Sequence, residues 1–181
     1  MPIDLEKQLT FAVATTLTAV AKEAQSAVVE DIQETFTTRG NWYLPRNKFG
    51  IKIEAARKDH LSAAVKTEAY WLAIHETGGI KTPGGKYLAI PTDNVRRTKR
   101  QIIKRSQRPR NLIRPFVLNT INGPVLFQRK NKRAIVPLYQ LEPKAKIKKE
   151  STVIETTVRV VRERFSRILG EKLAEAIRTA R

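Results

Sequence analysis

The chain has 181 residues, of which 41% are hydrophobic, and its formal net charge is +18. This length and composition fit one folded domain and exclude a disordered chain. No cysteine is present, which excludes disulfides, zinc–thiolate sites and cysteine nucleophiles.

The positive charge is concentrated in the middle of the chain. Residues 1–93 carry 11 basic and 11 acidic groups, residues 94–150 carry 17 and 2, and residues 151–181 carry 7 and 4. No acidic residue occurs from Asn94 to Leu141. Because uncompensated like charges repel one another, this segment favours a surface that meets a polyanion or an acidic partner. The alternative is a solvated basic surface that only aids solubility.

The sequence shows no membrane signal. The N-terminal residues lack the basic start and apolar run of a signal peptide, and no apolar run approaches the length of a transmembrane helix. We therefore expect a protein that is made and used in the cytoplasm, without a membrane partner.

The first predicted element is a long amphipathic helix over residues 3–38, followed by Arg39-Gly40 as its stop. Apolar residues recur there at three- and four-residue steps. They are Leu5, Leu9, Val13, Leu17, Val20, Ala24, Val28, Ile32 and Phe36.

A sheet region is predicted over residues 49–141, with a strand at 49–53. Residues 61–75 favour a strand that runs towards Tyr70 and then a helical turn up to His75, although their alanine-rich composition also allows a helix. Gly78-Gly79 and the glycines at 84–85 indicate turns. A short strand at 87–90 ends at Pro91.

Residues 92–113 are polar, basic and without clear periodicity, so we predict a long flexible basic loop. After it, strands at 116–121 and 125–127 flank Asn122-Gly123, a strong hairpin signal. Residues 134–141 form a further strand, in which Pro137 predicts an edge or a bulge. Residues 142–150 are predicted to be a basic connector.

The last element is a second amphipathic helix over residues 152–180, with Ser151 as a plausible N-cap. Its predicted apolar stripe consists of Ile154, Val158, Val161, Phe165, Leu169, Leu173, Ile177 and Ala180. A coiled coil is an alternative, but packing on a sheet is the simpler interpretation. The chain is thus predicted to be a single α+β domain, 1–181. Its long N-terminal and C-terminal amphipathic helices pack on one face of a small, mostly antiparallel sheet.

No motif in the chain carries catalytic chemistry. His75-Glu76 would begin a zincin motif, but the second histidine is replaced by Gly79. Neither a phosphate-binding loop nor a nucleophile elbow is present. We predict no catalytic residues, no metal site, no cofactor and no enzymatic activity.

A phage nuclease remains the weaker alternative. It would need a carboxylate cluster, and nothing in the spacing of the acidic residues demands that they converge.

Eight cations fall within fifteen residues of the basic loop. They are Arg96, Arg97, Lys99, Arg100, Lys104, Arg105, Arg108 and Arg110. Such groups bind phosphates without reading sequence, and no aromatic residue lies among them to stack on single-stranded bases. Two partners stay open for this loop, duplex nucleic acid and acidic groups on a neighbouring subunit.

The stretch Tyr70–Gly79 (YWLAIHETGG), followed by Lys86–Asn94 (KYLAIPTDN), resembles tail-completion and neck proteins of long-tailed bacteriophages. In this minor tail protein Z-like family, a histidine or tyrosine and then Glu-x-Gly often stand where a strand turns over. His75, Glu76, Gly78 and Gly79 match that turn. The family also tends to be basic and cysteine-free, with a long helix at each end of a small sheet.

The resemblance implies a structural virion protein that forms a ring, six-fold in the family, at the head-proximal end of the tail. Its partners would be other copies of itself, the tail terminator or tail tube, and the head–tail connector. The genome would pass through the ring, and the protein would lie in the tail or neck of the virion after assembly in the host cytoplasm. Tail completion, tail terminator and head–tail adaptor remain alternative roles, and a stand-alone non-specific nucleic-acid-binding protein is the rival function.

Overall fold

The computed structural model describes residues 5–131, 133–150 and 152–179. The predicted N-cap Ser151 and the stripe residue Ala180 lie outside these ranges. The chain divides into two compact units. The first, Met1–Thr77 with Lys149–Arg181, is called the helical unit below, and the second, Gly78–Lys148, the sheet unit.

The chain is α+β, as predicted, with a long helix at each end and antiparallel strands between them. The helices are α1 (Leu5–Thr35), α2 (Ala73–Thr77) and α3 (Ile154–Thr179). The strands are β1 (Lys52–Glu54), β2 (Ala64–Lys66), β3 (Gly79–Lys81), β4 (Leu88–Pro91), β5 (Pro115–Thr120), β6 (Gly123–Arg129), β7 (Ile135–Glu142) and β8 (Ala145–Ile147).

In the helical unit, α1 and α3 pack along each other in antiparallel directions. The Thr156 hydroxyl, near the start of α3, donates to the Asp31 carboxylate near the end of α1. Further along, the Glu23 carboxylate lies 3.8 Å from Arg164 and 3.6 Å from Arg167. Helix α1 also contacts β1 and β2.

The buried face of α3 differs from the predicted stripe. Ile154, Val158, Val161 and Ile177 are exposed, Ile154 by 59%. The buried residues of the helix are Thr156, Val160, Ile168 and Ala176. The prediction was wrong because it ranked positions by hydrophobicity alone. Position 156 can be buried as threonine, since its hydroxyl has a hydrogen-bond acceptor on α1.

The core of the helical unit lies at the C-terminal half of α1. Val28 and Ile32, both in the predicted α1 stripe, are fully buried there with Ile51. Trp42 and Trp71 pack against this cluster with their ring centroids 5.4 Å apart. Aromatic edge-to-face contacts of this kind add to the stabilisation that comes from buried area.

The sheet unit contains a four-stranded antiparallel sheet in the order β4-β7-β6-β5 and a separate β3-β8 pair. The predicted hairpin is confirmed, because β5 and β6 meet at a turn in which Gly123 has a φ of 99°. Strands β3 and β8 were not predicted, since three-residue strands carry too little alternation to be seen in a sequence.

Pro137 lies in a central strand, not at an edge, so only the bulge half of that prediction is confirmed. The register between β6 and β7 shifts between Leu126 and Phe127, and Leu138 has no partner there. A bulge re-aims side chains. Adjacent Leu138 and Tyr139 are accordingly both buried in the same apolar cluster.

None of the helices in the described ranges has the length and apolar character needed to cross a bilayer.

Candidate functional site

The candidate site is the basic surface of the sheet unit. This unit holds 18 basic and 2 acidic residues, a net charge of +16. The two acids are Asp93 and Glu142. The eight cations singled out from the sequence all belong to this unit.

The predicted flexible loop, 92–113, has local structure. Its first part is a small hairpin, in which Arg97 and Ile103 form a bridge and the Thr98 amide donates to the Ile102 carbonyl over 2.8 Å. Gln101 turns the chain with a φ of 60°. Lys99 and the neighbouring Arg100 therefore lie at the tip of a hairpin.

The second part of the segment consists of two 3-10 turns, Arg105–Gln107 and Pro109–Asn111. The Asn111 side-chain amide donates to the Arg105 carbonyl over 2.7 Å and ties one turn to the other. The basic segment is thus a series of hydrogen-bonded turns.

Apolar anchors hold this segment on the sheet. Val95 is buried with Leu138 and Tyr139, and Ile103 and Leu112 pack against the same cluster. The Tyr139 hydroxyl donates to the Gln107 carbonyl over 2.7 Å. The sequence did not reveal these anchors, because apolar positions spaced about eight residues apart match neither the helix nor the strand period.

Val95, Ile103 and Leu112 face the apolar cluster, and the cations lie mostly at the surface. Arg97 is half-buried, and the other seven of the eight are exposed. Among the described residues, none of the eight lies within ion-pair distance of a carboxylate. Their positive potential is therefore not compensated locally.

Burial raises the pKa of the Tyr139 hydroxyl, and the Arg97 cation acts in the opposite direction. The tyrosine that anchors the segment therefore remains protonated, and able to donate to Gln107, throughout the neutral range.

A groove of about 370 Å³ in the sheet unit is lined by Lys130, a cation that the sequence prediction did not include. Arg96 also lines it, together with Asn94, Gln107 and Gln128. Guanidinium and ammonium groups donate to phosphate or carboxylate oxygens. Only the pairing of β6 with β7 carries Lys130 to this place, so no local sequence signal could have found it.

The turn-motif residues His75 and Glu76 make structural contacts within the helical unit. The Glu76 carboxylate accepts hydrogen bonds from the amides of Thr152, Val153 and Ile154, at 3.0, 2.8 and 3.2 Å. It thereby caps the N-terminus of α3, where a negative charge is favourable. The His75 ring packs edge-on against Phe36, with centroids 5.1 Å apart.

The two glycines of the turn motif are required by the backbone. Gly78 has a φ of 69° and Gly79 a φ of 148°, values that side chains disfavour. The matched stretch is thus explained by a helix cap and a turn.

In the described part of the chain, no group of three or more histidine, cysteine, aspartate or glutamate residues is placed to hold a metal ion.

Comparison with protein-family models, with curated protein sequences and with solved structures gave no match.

Proposed function

We propose that this protein is a structural subunit of a long-tailed bacteriophage particle. Copies would form a ring at the head-proximal end of the tail and serve in tail completion or head–tail joining. The observation that carries the proposal is the basic surface of the sheet unit, which has a net charge of +16. Among the described residues, its eight singled-out cations have no carboxylate within ion-pair distance. The resemblance of the Tyr70–Gly79 stretch supports the same assignment.

The anchored segment suits contact with a passing duplex. Cations on hydrogen-bonded turns need little ordering on binding, which lowers the entropic cost of contact. Arginine and lysine without base-reading elements bind phosphates of any sequence. An acidic face of a connector protein offers the same complementarity, so both genomic DNA and an acidic neighbour are proposed partners of this surface.

The first experiment is electron microscopy of particles assembled with and without the protein. We expect a ring at the top of the tail, and unjoined heads and tails when the protein is missing. Intact, infectious particles without it would overturn the proposal.

A charge-reversal variant tests the basic surface itself. Replacing Arg100, Arg105 and Arg108 by glutamate should impair head–tail joining, because these exposed side chains contribute to the uncompensated potential. A matched control replaces Arg39, Arg46 and Arg57, which are also exposed but lie in the helical unit. Equal impairment of head–tail joining in the two variants would show that only the total charge of the protein matters. Normal joining in both would show that the basic surface is not needed for joining.

A second candidate function, stand-alone binding of duplex nucleic acid, is favoured by the groove in which Arg96 and Lys130 meet. It predicts that the isolated protein binds a DNA duplex with an affinity that falls steeply with salt. The slope of log affinity against log salt should be roughly −0.9 for each phosphate neutralised. A flat salt dependence would rule out this candidate and leave the ring proposal standing.

A further inference from the structure

Strand β5 lies at an edge of the four-stranded sheet. Among the described strands it pairs with β6 alone. An edge strand presents a row of backbone donors and acceptors on its free side, and proteins usually protect such edges with charge, proline or a bulge. The opposite edge strand, β4, is short and ends in Pro91.

Strand β5 begins with Pro115, but from Phe116 to Thr120 it has no charge, no further proline and no bulge. From Pro115 to Gln128 there is no charged residue, although the unit as a whole has a net charge of +16. Val117 is 50% exposed, Leu118 43% exposed, and Ile121 at the hairpin tip is fully exposed. This edge is therefore the uncharged, apolar part of a strongly basic unit.

The charges that border β5 all lie at one end. Pro115 pairs with Gln128, so the adjoining Arg114 and Arg129 are at the same end of the hairpin. Lys130 follows at that end, where its amide donates to the Ala134 carbonyl as the chain turns into β7. The opposite end is the uncharged Asn122-Gly123 turn.

We infer that the β5 edge receives an extended segment of a partner protein, which adds as a fifth strand and carries acidic residues at one end. Backbone hydrogen bonds would hold the segment, Val117 and Leu118 would contact its side chains, and its acids would meet Arg114 and Arg129. A second copy of this chain is a poor occupant, because β5-to-β5 pairing would bring together two units of net charge +16. The inference does not depend on the proposed function, since it rests on a different surface.

The test uses the full-length protein and two synthetic peptides of six alternating valine and threonine residues. One peptide has three glutamates at its C-terminal end, and the other has them at its N-terminal end. An added strand antiparallel to β5 places its C-terminus beside Arg114, and a parallel strand places its N-terminus there. We expect one peptide to bind at least about tenfold more tightly than the other, as measured by fluorescence anisotropy.

Two variants locate the binding. Leu118→Lys places a charge on the edge and should weaken binding by at least about tenfold. Its matched control, Ala89→Lys, places the same charge at an exposed position on β4 and should leave binding unchanged. Circular dichroism checks that both variants remain folded. An N-methylated peptide, which cannot form the backbone hydrogen bonds, should not bind.

Three outcomes would overturn the inference. They are no binding of either peptide, equal weakening by the two lysine variants, and reversible self-association that Leu118→Lys abolishes in sedimentation experiments. The last result would show that a second copy occupies the edge. A third peptide, in which lysines replace the three glutamates of the tighter binder, should bind more weakly. Loss of this difference in the double variant Arg114→Ala, Arg129→Ala would confirm the charged end.

Discussion

The helical unit and the sheet unit hold nearly equal numbers of basic residues, 17 and 18, but 15 and 2 acidic residues respectively. In the helical unit, cations meet carboxylates: Arg167 lies 2.7 Å from Glu171, and Lys66 lies 2.8 Å from Glu54. Exposed pairs of this kind add little to stability. Their effect is to neutralise most of the positive charge on the surface of the helical unit. The sheet unit has too few acidic residues for this.

The two units also differ in how their cores form. The core of the helical unit is built from apolar residues on a long helix and from an aromatic cluster that includes both tryptophans of the chain. The core of the sheet unit is smaller, and part of it is supplied by the basic segment through Val95, Ile103 and Leu112. The core of the helical unit thus forms without the basic segment, whereas in the sheet unit the core and the candidate binding surface depend on the same segment.

The largest expected effect concerns the face of α3 that the helical unit buries. Ile168→Ala should lower the free energy of unfolding by about 2–5 kcal/mol, because Ile168 is 4% exposed and a cavity would remain. Ile154→Ala, a matched change on the exposed face of the same helix, should cost less than about 1 kcal/mol. Tryptophan fluorescence in urea reports this unit, since Trp42 and Trp71 both lie in it. The opposite ranking would mean that α3 buries the stripe predicted from hydrophobicity.

A smaller effect is expected at the cap of α3. Glu76→Ala should destabilise the helical unit by roughly 1–2 kcal/mol, because three backbone amides lose their acceptor. Glu163→Ala, which removes an exposed carboxylate from the middle of the same helix, is the control and should change little. If the two variants are equally stable, the Glu76 carboxylate does not stabilise the protein by capping α3.

The smallest effect is expected in the sheet unit. Tyr139→Phe removes the hydrogen bond to Gln107 and should cost about 1 kcal/mol. Hydrogen exchange of the β6 and β7 amides measures this loss, while the tryptophan signal of the helical unit should not change. Faster exchange confined to the helical unit would contradict the assignment of Tyr139 as the anchor of the basic segment.

The same variant has a pH signature. Because burial raises the pKa of the Tyr139 hydroxyl in the folded state, its contribution is fully present below about pH 10 and is lost as the pH rises through the raised value. The wild-type sheet unit should therefore lose stability at alkaline pH more steeply than Tyr139→Phe. Parallel pH profiles would show that the hydroxyl is not buried in solution.

Much of the fold could be predicted from the sequence, because the signals were local. Thirty-one residues without glycine or proline form α1, and Asn122-Gly123 marks the β5–β6 turn. The candidate site was predicted only in part. The eight cations stood out by their number, but Lys130 and the anchors of the basic segment depend on residues far apart in the chain.

The sequence by itself determined the two terminal helices, the hairpin and the segregation of charge, since each depends on neighbours within a few residues or on composition alone. Only the tertiary structure decided which face of α3 is buried, which short strands pair, and that Glu76 caps a helix that begins 78 residues later. The physical reason is that these outcomes depend on the shape and the hydrogen-bonding groups of a distant partner. Hydrophobicity along a single segment carries no information about that partner.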